Sequence, residues 1–309
     1  MTQNNKQTFN RIAIIGFGLI GSSLARAFRE NNLSKEIVAY DPDAKVRSRI
    51  VDLAIVDDVA DKFADAAAGA DLIVIAAPVG SIDAIVAEVS AHGEPDTLII
   101  DVGSVKGAVC DAAAKLPAHL HFVPCHPVAG TEQSGPDAGF ARLFEGRWCI
   151  VTPLDRDDSP YVQAIDKAKS LWRAIGADVE VMDASHHDLA LAVTSHLPHL
   201  IAFTLVGAAD DLETVKEAEI VKYSAGGFRD FTRIAASNPV MWRDVFLTNR
   251  DAVLEVLGRF SEELTLLQRA IRWGDADALE KSFARGRALR RAIVEAGQET
   301  DAPNFGRDQ

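Results

Sequence analysis

Cysteine and positive charge are both scarce in this chain. Its 309 residues include three cysteines, Cys110, Cys125 and Cys149. Because that number is odd and no Cys-x-x-Cys spacing occurs, the sequence indicates neither a disulfide framework nor a zinc ribbon. Lys and Arg total 32 against 45 Asp and Glu, which gives a formal net charge of −13. Binding to nucleic acid or to an anionic membrane surface depends on Lys and Arg, so both are disfavoured as partners.

Long apolar runs are also missing from the sequence. The longest, such as residues 72–78, have the length of a strand, whereas a membrane-spanning helix needs roughly 18 apolar residues. The first ten residues, MTQNNKQTFN, are polar and lack the apolar segment of a signal peptide. We therefore expect no membrane partner and a cytoplasmic location.

The two halves of the chain have different patterns. Apolar strands separated by amphipathic stretches are predicted at residues 11–16, 36–40, 70–77, 97–102, from 121 and 148–152, with a helix at 22–30. Such alternation is typical of a parallel sheet covered on both faces. After about residue 182 the patterns become helical, with one long helix or two at 249–273 and a capping box at 185–188. The sequence thus predicts an α/β Rossmann-type dinucleotide-binding domain over 1–182 and an all-α domain over 183–309.

A glycine-rich motif, G-x-G-x-x-G, follows the first predicted strand. It consists of Gly16, Phe17, Gly18, Leu19, Ile20 and Gly21. A strand before it and a helix after it are the context that a dinucleotide-binding turn requires, because the helix N-terminus then faces the pyrophosphate. The alternative is a glycine-rich turn without a cofactor.

Asp41 lies 20 residues after Gly21, at the end of the second predicted strand. A carboxylate there accepts hydrogen bonds from the adenosine ribose and repels a 2′-phosphate, which favours NAD over NADP. Asp41 could instead be an ordinary turn residue. Ala77 and Pro78 follow the third predicted strand, where they either line the adenosine side or simply end the strand.

Ser104 and His126 follow two further predicted strands. The carboxyl ends of parallel strands share one edge of the sheet, so both side chains project towards the same crevice. A histidine suits proton removal near neutral pH, and a serine hydroxyl can orient it. The alternatives are a structural histidine before a proline and a serine that only caps a helix.

The helical half contains two further groups of polar residues. His196 and His199 share one helix face beside Pro198, which should kink that helix. A core or interface face would also explain the two histidines, and a metal site is disfavoured because no HExxH motif is present. Arg229 and Arg233 follow a Gly-Gly pair, and an arginine can bind a carboxylate through two hydrogen bonds. A solvated charged loop is the other reading.

Five segments together resemble the prephenate/arogenate dehydrogenase family. They are GFGLIGSSLARAF, DVGSVKG, HPVAGTEQSGPDAGFARLFEGRWCIVTP, SHLPHLIAF and SAGGFRDFTRIAASNPVMWRDVF, in the family's order along nearly the whole chain. HPVAGTE and FRDFTRIAASNPVMW are far more specific than the glycine motif. The long central segment is most similar to the cyclohexadienyl dehydrogenases, which accept both prephenate and arogenate.

The resemblance implies an activity and a role for particular residues. The activity is an NAD-dependent oxidative decarboxylation of prephenate or arogenate in tyrosine biosynthesis. His126 matches the histidine that deprotonates the ring 4-hydroxyl, Ser104 the serine that holds it beside the nicotinamide, and Arg233 the arginine that binds a substrate carboxylate. His199 matches a substrate-pocket histidine, although the sequence leaves open whether His196 or His199 faces the substrate. Weaker matches to pocket or gating positions are Thr131, Glu132, Asp230 and Trp242.

The family also implies a homodimer formed through the helical domain. Tyrosine as an active-site inhibitor and the balance between prephenate and arogenate stay open, with Glu132 or Asp137 as candidates to bind the ammonium group of arogenate. The rival enzyme is a two-domain dehydrogenase of the β-hydroxyacid or pyrroline-carboxylate reductase kind, which loses no CO₂. The non-enzyme rival is an NAD-sensing regulator.

Overall fold

The computed structural model describes residues 8–131, 133–210 and 226–295. The chain divides into two compact units, with the boundary between Val253 and Leu254. The first unit carries all the strands of the described chain and the first helices of the helical half. The second unit consists of helices.

A six-stranded parallel sheet forms the centre of the first unit. Its order is β3-β2-β1-β4-β5-β6, and all neighbouring pairs are parallel. The strands are β1 (Phe9–Ile15), β2 (Ser34–Tyr40), β3 (Asp58–Val59), β4 (Leu72–Ile75), β5 (Leu98–Asp101) and β6 (His121–Val123). The strand order reverses direction between β1 and β4, which is where open α/β sheets bind their ligands.

Helices cover both faces of this sheet. They are α1 (Leu19–Glu30), α2 (Ala44–Leu53), α3 (Phe63–Ala67), α4 (Ile82–His92) and α5 (Gly107–Ala113). Successive residues of β1 belong to two different core clusters, Ile12 and Ile14 to one, Ala13 and Ile15 to the other. Since strand side chains alternate between faces, this confirms the prediction of a sheet buried on both sides.

A second, three-stranded sheet corrects the sequence prediction. It contains β7 (Cys125–Pro127), β8 (Trp148–Val151) and β9 (Asp178–Val181), with α6 (Ser159–Ala174) between β8 and β9. The segment 148–152 was expected to continue the parallel sheet, but β8 pairs antiparallel with β7 and parallel with β9. β7 and β9 are three and four residues long, and β9 is mostly exposed, so neither has a clear apolar pattern.

The helical half begins immediately after β9. It comprises α7 (Ala184–Leu191), a π-helical turn (Ala192–His196), α8 (Leu197–Asp210), α9 (Gly226–Thr232), a 3₁₀ turn (Arg233–Ala236), α10 (Pro239–Thr248), α11 (Arg250–Trp273) and α12 (Ala276–Glu295). The π-helical turn ends two residues before Pro198, at the place where a kink was predicted. The predicted helix at 249–273 is a single helix.

The capping box predicted at residues 185–188 is wrong. Asp183 caps α7, and its carboxylate accepts the backbone N–H of His186 at 2.7 Å. Ser185 lies inside the helix and donates its hydroxyl to Asp183 at 2.6 Å. The Asp188 carboxylate therefore does not cap α7.

One helical stretch of the described chain, residues 184–209, is long and apolar enough to cross a membrane by length and composition alone, with a mean hydropathy of 1.7. Polar residues interrupt this stretch, so it forms no continuous apolar run in the sequence. The core helix of a soluble protein meets the same criterion. His187 and Asp188 lie in this stretch and have hydrogen-bond partners within the protein.

The second unit leaves many large apolar side chains exposed. In the part of α11 that belongs to this unit and in α12, they are Leu254, Leu264, Leu266, Ile271, Trp273, Phe283, Leu289, Ile293 and Val294. No residue of α12 is buried. Such an apolar surface is typical of an element that packs against a partner.

Candidate active site

The glycine-rich loop is close-packed on one side and open on the other. Gly16 has φ +89°, and a Cβ atom there would lie 2.7 Å from the carbonyl oxygen of Ala76. A Cβ atom at Gly21 would collide with the carbonyl oxygen of Gly16. At Gly18, by contrast, it would meet nothing within 4 Å. The loop therefore packs tightly against β4 while the Gly18 backbone faces open space, which leaves room for a phosphate to approach.

Asp41 lies beside this loop. Its carboxylate accepts the backbone N–H groups of Phe17 and Asp43, both at 2.9 Å. Each oxygen keeps a lone pair that can accept a ribose hydroxyl. The Phe17 side chain is fully buried in the core, so only its backbone faces the loop, and Leu19 and Ile20 pack partly against the same core.

Ala77 and Pro78 follow the carboxyl end of β4, next to β1 in the sheet. Ala77 is half-buried against the core and Pro78 is exposed at the start of a 3₁₀ turn, Val79–Ser81. α10 packs on this turn, where Asp244 lies so close to Gly80 that a Cβ atom there would be 2.8 Å from its carboxylate. The two residues therefore lie at the carboxyl end of the sheet.

His126 lies in β7 and is 7% exposed. Its Nδ1 is 2.8 Å from Nε2 of His187, and Nδ1 of His187 is 2.8 Å from Oδ1 of Asp188. The two imidazole rings meet edge to face, with centroids 5.0 Å apart. Ser104 was expected to hold His126, but no hydrogen bond joins the two side chains in the part of the chain that the structure describes. The direct partner of the predicted base is His187, on α7.

Asp188 joins α7 to the loop that carries Ser104. Its carboxylate accepts the backbone N–H of Lys106 at 2.7 Å and that of Gly107 at 2.8 Å, which caps the N-terminus of α5. Ser104 therefore does not cap this helix, and that alternative is excluded. It is half-buried in the loop between β5 and α5.

Lys106 is fully buried and forms an ion pair with Asp101. Its ammonium also donates to the carbonyl oxygen of Cys125 at 2.7 Å, and Asp101 accepts the backbone N–H of Cys125 at 3.0 Å. A buried ion pair is stable only when its remaining hydrogen bonds are satisfied, as they are here. The pair fixes the residue that precedes His126 to the end of β5.

His196 and His199 extend the cluster along the π-helical turn and α8. His196 is fully buried, and Asn249 donates its side-chain amide to Nδ1 at 3.1 Å. Nε2 of His196 has no hydrogen-bond partner, although the Ser104 backbone lies close enough to favour the protonated ring. His199 stacks on Trp242 with centroids 3.7 Å apart, and Trp242 also meets the edge of His196.

Burial is the main cause of the altered pKa values in this cluster. It lowers the pKa of His126 well below the usual range, and the neighbouring His187, Lys106 and His196 act in the same direction. Burial also lowers the pKa of His196 to about 4.

The pKa of His199 is lowered by burial and by the nearby charge of Arg233, against a hydrogen bond from its Nδ1 to the Ser195 carbonyl oxygen. For Asp188, burial works to raise the pKa, but hydrogen bonds from His187 and from the start of α5 outweigh it, so the pKa is lowered. The three imidazoles are therefore neutral at pH 7, and Asp188 is ionised.

Of the two histidines, His199 is the one whose pKa the charge of Arg233 lowers. Arg233 is half-buried in the 3₁₀ turn after α9. No group of three or more His, Cys, Asp or Glu side chains within residues 8–131, 133–210 and 226–295 could hold a metal ion.

The remaining predicted pocket residues are less clearly placed. Thr131 accepts the backbone N–H of Gln133 at 3.2 Å in a local turn. Asp230 is exposed and lies 3.9 Å from the Arg229 guanidinium. Glu132 lies outside the described residues. Asp137 pairs with Arg49 of α2, so its charge is already compensated.

Sequence reasoning missed His187, Asp188 and Asn249. His187 and Asp188 are adjacent in the sequence. Their other partners, His126, Asn249 and Lys106, lie 61 or 82 residues away, so no spacing pattern could show these contacts. The only local signal was an acidic residue next to two histidines at the start of an apolar helix, which was interpreted as a cap.

Comparisons with known proteins agree with this architecture. The family model described as the prephenate dehydrogenase nucleotide-binding domain matches residues 24–181, and the one described as its dimerization domain matches residues 183–285. The cyclohexadienyl dehydrogenase of Zymomonas mobilis is 42% identical over 286 residues, which cover 92% of this chain and 96% of that protein. The prephenate dehydrogenase of Bacillus subtilis is 35% identical over 279 residues, 90% of this chain and 74% of that protein.

A solved structure has the same fold. The crystal structure of prephenate dehydrogenase from Aquifex aeolicus in complex with hydroxyphenyl propionate and NAD⁺ aligns with a TM-score of 0.82 and 32% identity, covering 92% of this chain and 98% of that one. Two family models that together span most of the chain, with relatives above 30% identity over nearly all of it, establish the membership. This chain belongs to the prephenate dehydrogenase family.

Proposed function

We propose that this chain is an NAD-dependent dehydrogenase that oxidises prephenate, arogenate or both with loss of the ring carboxylate as CO₂. One observation carries the proposal: the buried His126 and His196 and the half-buried His199, all of lowered pKa, follow one another towards Arg233. A neutral imidazole can accept a proton, and a guanidinium can bind a carboxylate. The reaction needs one group of each kind, because aromatisation itself drives the loss of CO₂.

The residues around the glycine-rich loop fit NAD. The open backbone at Gly18 and the N-terminus of α1 would hold the pyrophosphate, since that helix has no side-chain cap. Asp41 would accept the adenosine ribose hydroxyls, which favours NAD over NADP. Ala77 and Pro78 would border the adenosine side. When bound, NAD supplies the acceptor for a hydride.

The protein's own residues would handle the proton and the charge. His126 accepts the proton of the 4-hydroxyl as the hydride leaves C4, and the oxygen becomes a carbonyl. The bond from C1 to the carboxylate then breaks, CO₂ leaves, and its electron pair completes the ring. The resulting phenolate takes the proton back from His126. Arg233 would bind a substrate carboxylate, His199 would line the pocket, and Ser104 would lie near the nicotinamide of bound NAD.

Several further assignments rest on the family resemblance. We assign Thr131, Glu132 and Asp230 to the substrate pocket or its entrance, and we place the functional division between the two domains at 182/183. The dimerization domain and the exposed apolar side chains of the second unit support a homodimer. A cytoplasmic location and inhibition by tyrosine at the active site are further parts of the proposal.

The test follows NADH absorbance and CO₂ release together, with purified protein, NAD and either prephenate or arogenate. Equal amounts of NADH and CO₂ are expected, and the ratio of the two kcat/KM values decides which substrate is preferred. His126→Gln serves as the inactive control. NADH without CO₂ would point to a dehydrogenase of the β-hydroxyacid kind, and NAD binding without turnover to a regulator; either result contradicts the proposal.

A further inference from the structure

We propose that His187 and Asp188 are positioning residues that fix the tautomer of His126, so that its Nε2 carries the lone pair used for proton removal. The chemical benefit of this arrangement rests on the function proposed above. The arrangement itself rests on two contacts, His126 Nδ1 to His187 Nε2 and His187 Nδ1 to Asp188, both at 2.8 Å.

The proton positions follow from the last member of the series. An ionised carboxylate is only an acceptor, so the Nδ1 of His187 that faces Asp188 must carry a hydrogen. We place the only ring hydrogen of His187 there, so that its Nε2 keeps a lone pair and accepts. His126 can satisfy that acceptor only by donating from Nδ1, which leaves its Nε2 unprotonated. A carboxylate two side chains away thus selects the tautomer of the base.

The lowered pKa of Asp188 supports the first step, because it keeps the carboxylate ionised across the neutral range. Three donors converge on this group: the His187 ring and the backbone N–H groups of Lys106 and Gly107. Its Oδ1 and Oδ2 are both occupied, so the carboxylate cannot rotate away from His187 without losing the cap of α5.

The same carboxylate also couples the base to the Ser104 loop. Asp188 fixes the end of that loop through Lys106 and Gly107, while its own backbone carbonyl oxygen accepts the side-chain amide of Asn249 at 2.8 Å. His126 and Ser104, whose side chains no hydrogen bond joins, are therefore both positioned by Asp188. This explains how a serine in a loop and a histidine in β7 keep a defined geometry.

The arrangement also helps once His126 has accepted the proton. The imidazolium then donates from Nδ1 to His187, whose other nitrogen is polarised by Asp188. Lys106 and His196 disfavour a positive charge on His126. Asp188 is the anion that offsets the charge during the step, as in other acid–histidine pairs.

The decisive experiment is ¹⁵N NMR of the protein labelled at histidine, without substrate, at pH 7.5. The shifts of the two ring nitrogens report which one carries hydrogen, and the difference from His126→Gln identifies the His126 signals. We expect hydrogen on Nδ1 of His126 and a free lone pair on Nε2. A wild-type spectrum with hydrogen on Nε2 would overturn the proposal. This readout does not depend on which substrate the enzyme uses.

Variants of His187 provide the kinetic counterpart. His187→Leu removes the acceptor, and kcat should fall about 100-fold, the scale of one general-base contribution, while KM stays within about threefold. His187→Gln offers an acceptor oxygen in a similar place and should recover most of that loss and keep the wild-type tautomer. His186→Leu is the matched control: His186 is adjacent in sequence and exposed, so kcat should not change.

The outcomes separate this proposal from the proposed function. A folded His187→Leu variant with unchanged kcat overturns the positioning role even if the wild type oxidises prephenate. If His187→Leu does not fold, the wild-type tautomer and the kcat of His187→Gln decide. Conversely, the protein could show the expected tautomer and oxidise neither substrate. That result would support the positioning role of His187 and Asp188 and would contradict only the proposed reaction.

Discussion

Four histidines of this chain show how surroundings decide what one residue type can do. His186 is exposed and its side chain takes no part in the cluster, whereas its neighbour His187 is fully buried between His126 and a carboxylate. The Nδ1 atom of His196 accepts a hydrogen bond from Asn249, and His199 stacks on Trp242 beside Arg233. The pKa values of His196 and His199 are both lowered mainly by burial, yet only His199 lies next to a group that could bind a substrate anion.

Arg233 and His126 should affect different kinetic constants. Arg233→Ala removes a charge-assisted contact of about 1.5–3 kcal/mol and should raise KM by about 10- to 100-fold with a smaller effect on kcat. His126→Gln should lower kcat by about 100-fold or more and leave KM nearly unchanged, because it removes the proton acceptor. Steady-state kinetics with the preferred substrate measure both effects.

Arg229→Ala is the control for the first variant, since Arg229 lies on the same segment but is exposed and pairs with Asp230. It should keep wild-type constants. Equal losses from Arg229→Ala and Arg233→Ala would mean that the whole segment binds the substrate through its net charge, and the assignment to Arg233 would be wrong.

At the level of single elements, the sequence pattern predicted those strands, helices and loops whose conformation depends on neighbouring residues. β1, α1 and the glycine loop were found because apolar periodicity and glycine spacing depend only on neighbouring residues. β7 and β9 were missed because they are short and are fixed by pairing with β8, a contact between distant segments. The site divides in the same way: Ser104, His126 and Arg233 were predicted from local position and chemistry and given roles by resemblance, whereas His187 and Asp188 make contacts that no sequence spacing shows.

Asp41, at the end of β2, should control the choice between NAD and NADP. Asp41→Ala removes the negative charge that would face a 2′-phosphate, so the ratio of the Kd values for NADP and NAD should fall by about tenfold, or about 1.4 kcal/mol. The ratio is the useful quantity, because losing the contact to Phe17 will weaken both cofactors. Asp43→Ala, which removes a charge from the cap of α2, should leave the ratio unchanged. An unchanged ratio in Asp41→Ala would remove Asp41 from the selection of cofactor.

At the scale of the whole molecule, the helices of the second unit expose many large apolar side chains. Ile271 is 67% and Trp273 66% exposed at the end of α11, and Phe283 is 61% exposed on α12. A stable dimer buries about 800 Å² or more on each partner, and a surface of this kind can supply it. Sedimentation velocity should therefore show a dimer.

Ile271→Glu should shift that dimer towards monomer, because a charge would be buried at the interface. Val51→Glu is the control, since Val51 on α2 is 63% exposed in the first unit, and this variant should sediment like the wild type. A wild-type protein that sediments as a monomer at micromolar concentration would contradict the dimer.

The stability of the molecule should depend on pH through its buried neutral histidines. An unfolded histidine has a pKa of about 6.5, whereas burial lowers the pKa of His196 to about 4 in the folded protein, and the pKa values of His126 and His199 are lowered as well. Above pH 6.5 both states are neutral at these sites. Below it, only the unfolded state takes up the protons, so stability is lost as the pH falls from 6.5 to about 4.

A histidine that stays neutral in the folded protein, as His196 does down to about pH 4, contributes a slope of about 1.4 kcal/mol per pH unit within this window, and lowered carboxylates such as Asp188 act only below about pH 4. Urea unfolding between pH 7.5 and 4.5 should show this slope for the wild type. His196→Asn, whose amide oxygen can still accept from Asn249, should reduce it by about 1.4 kcal/mol per unit, while His186→Asn should not. A free energy of unfolding that stays constant from pH 6.5 to 5 would show that these histidines are charged in the folded protein, which would also remove the neutral base on which the proposed chemistry depends.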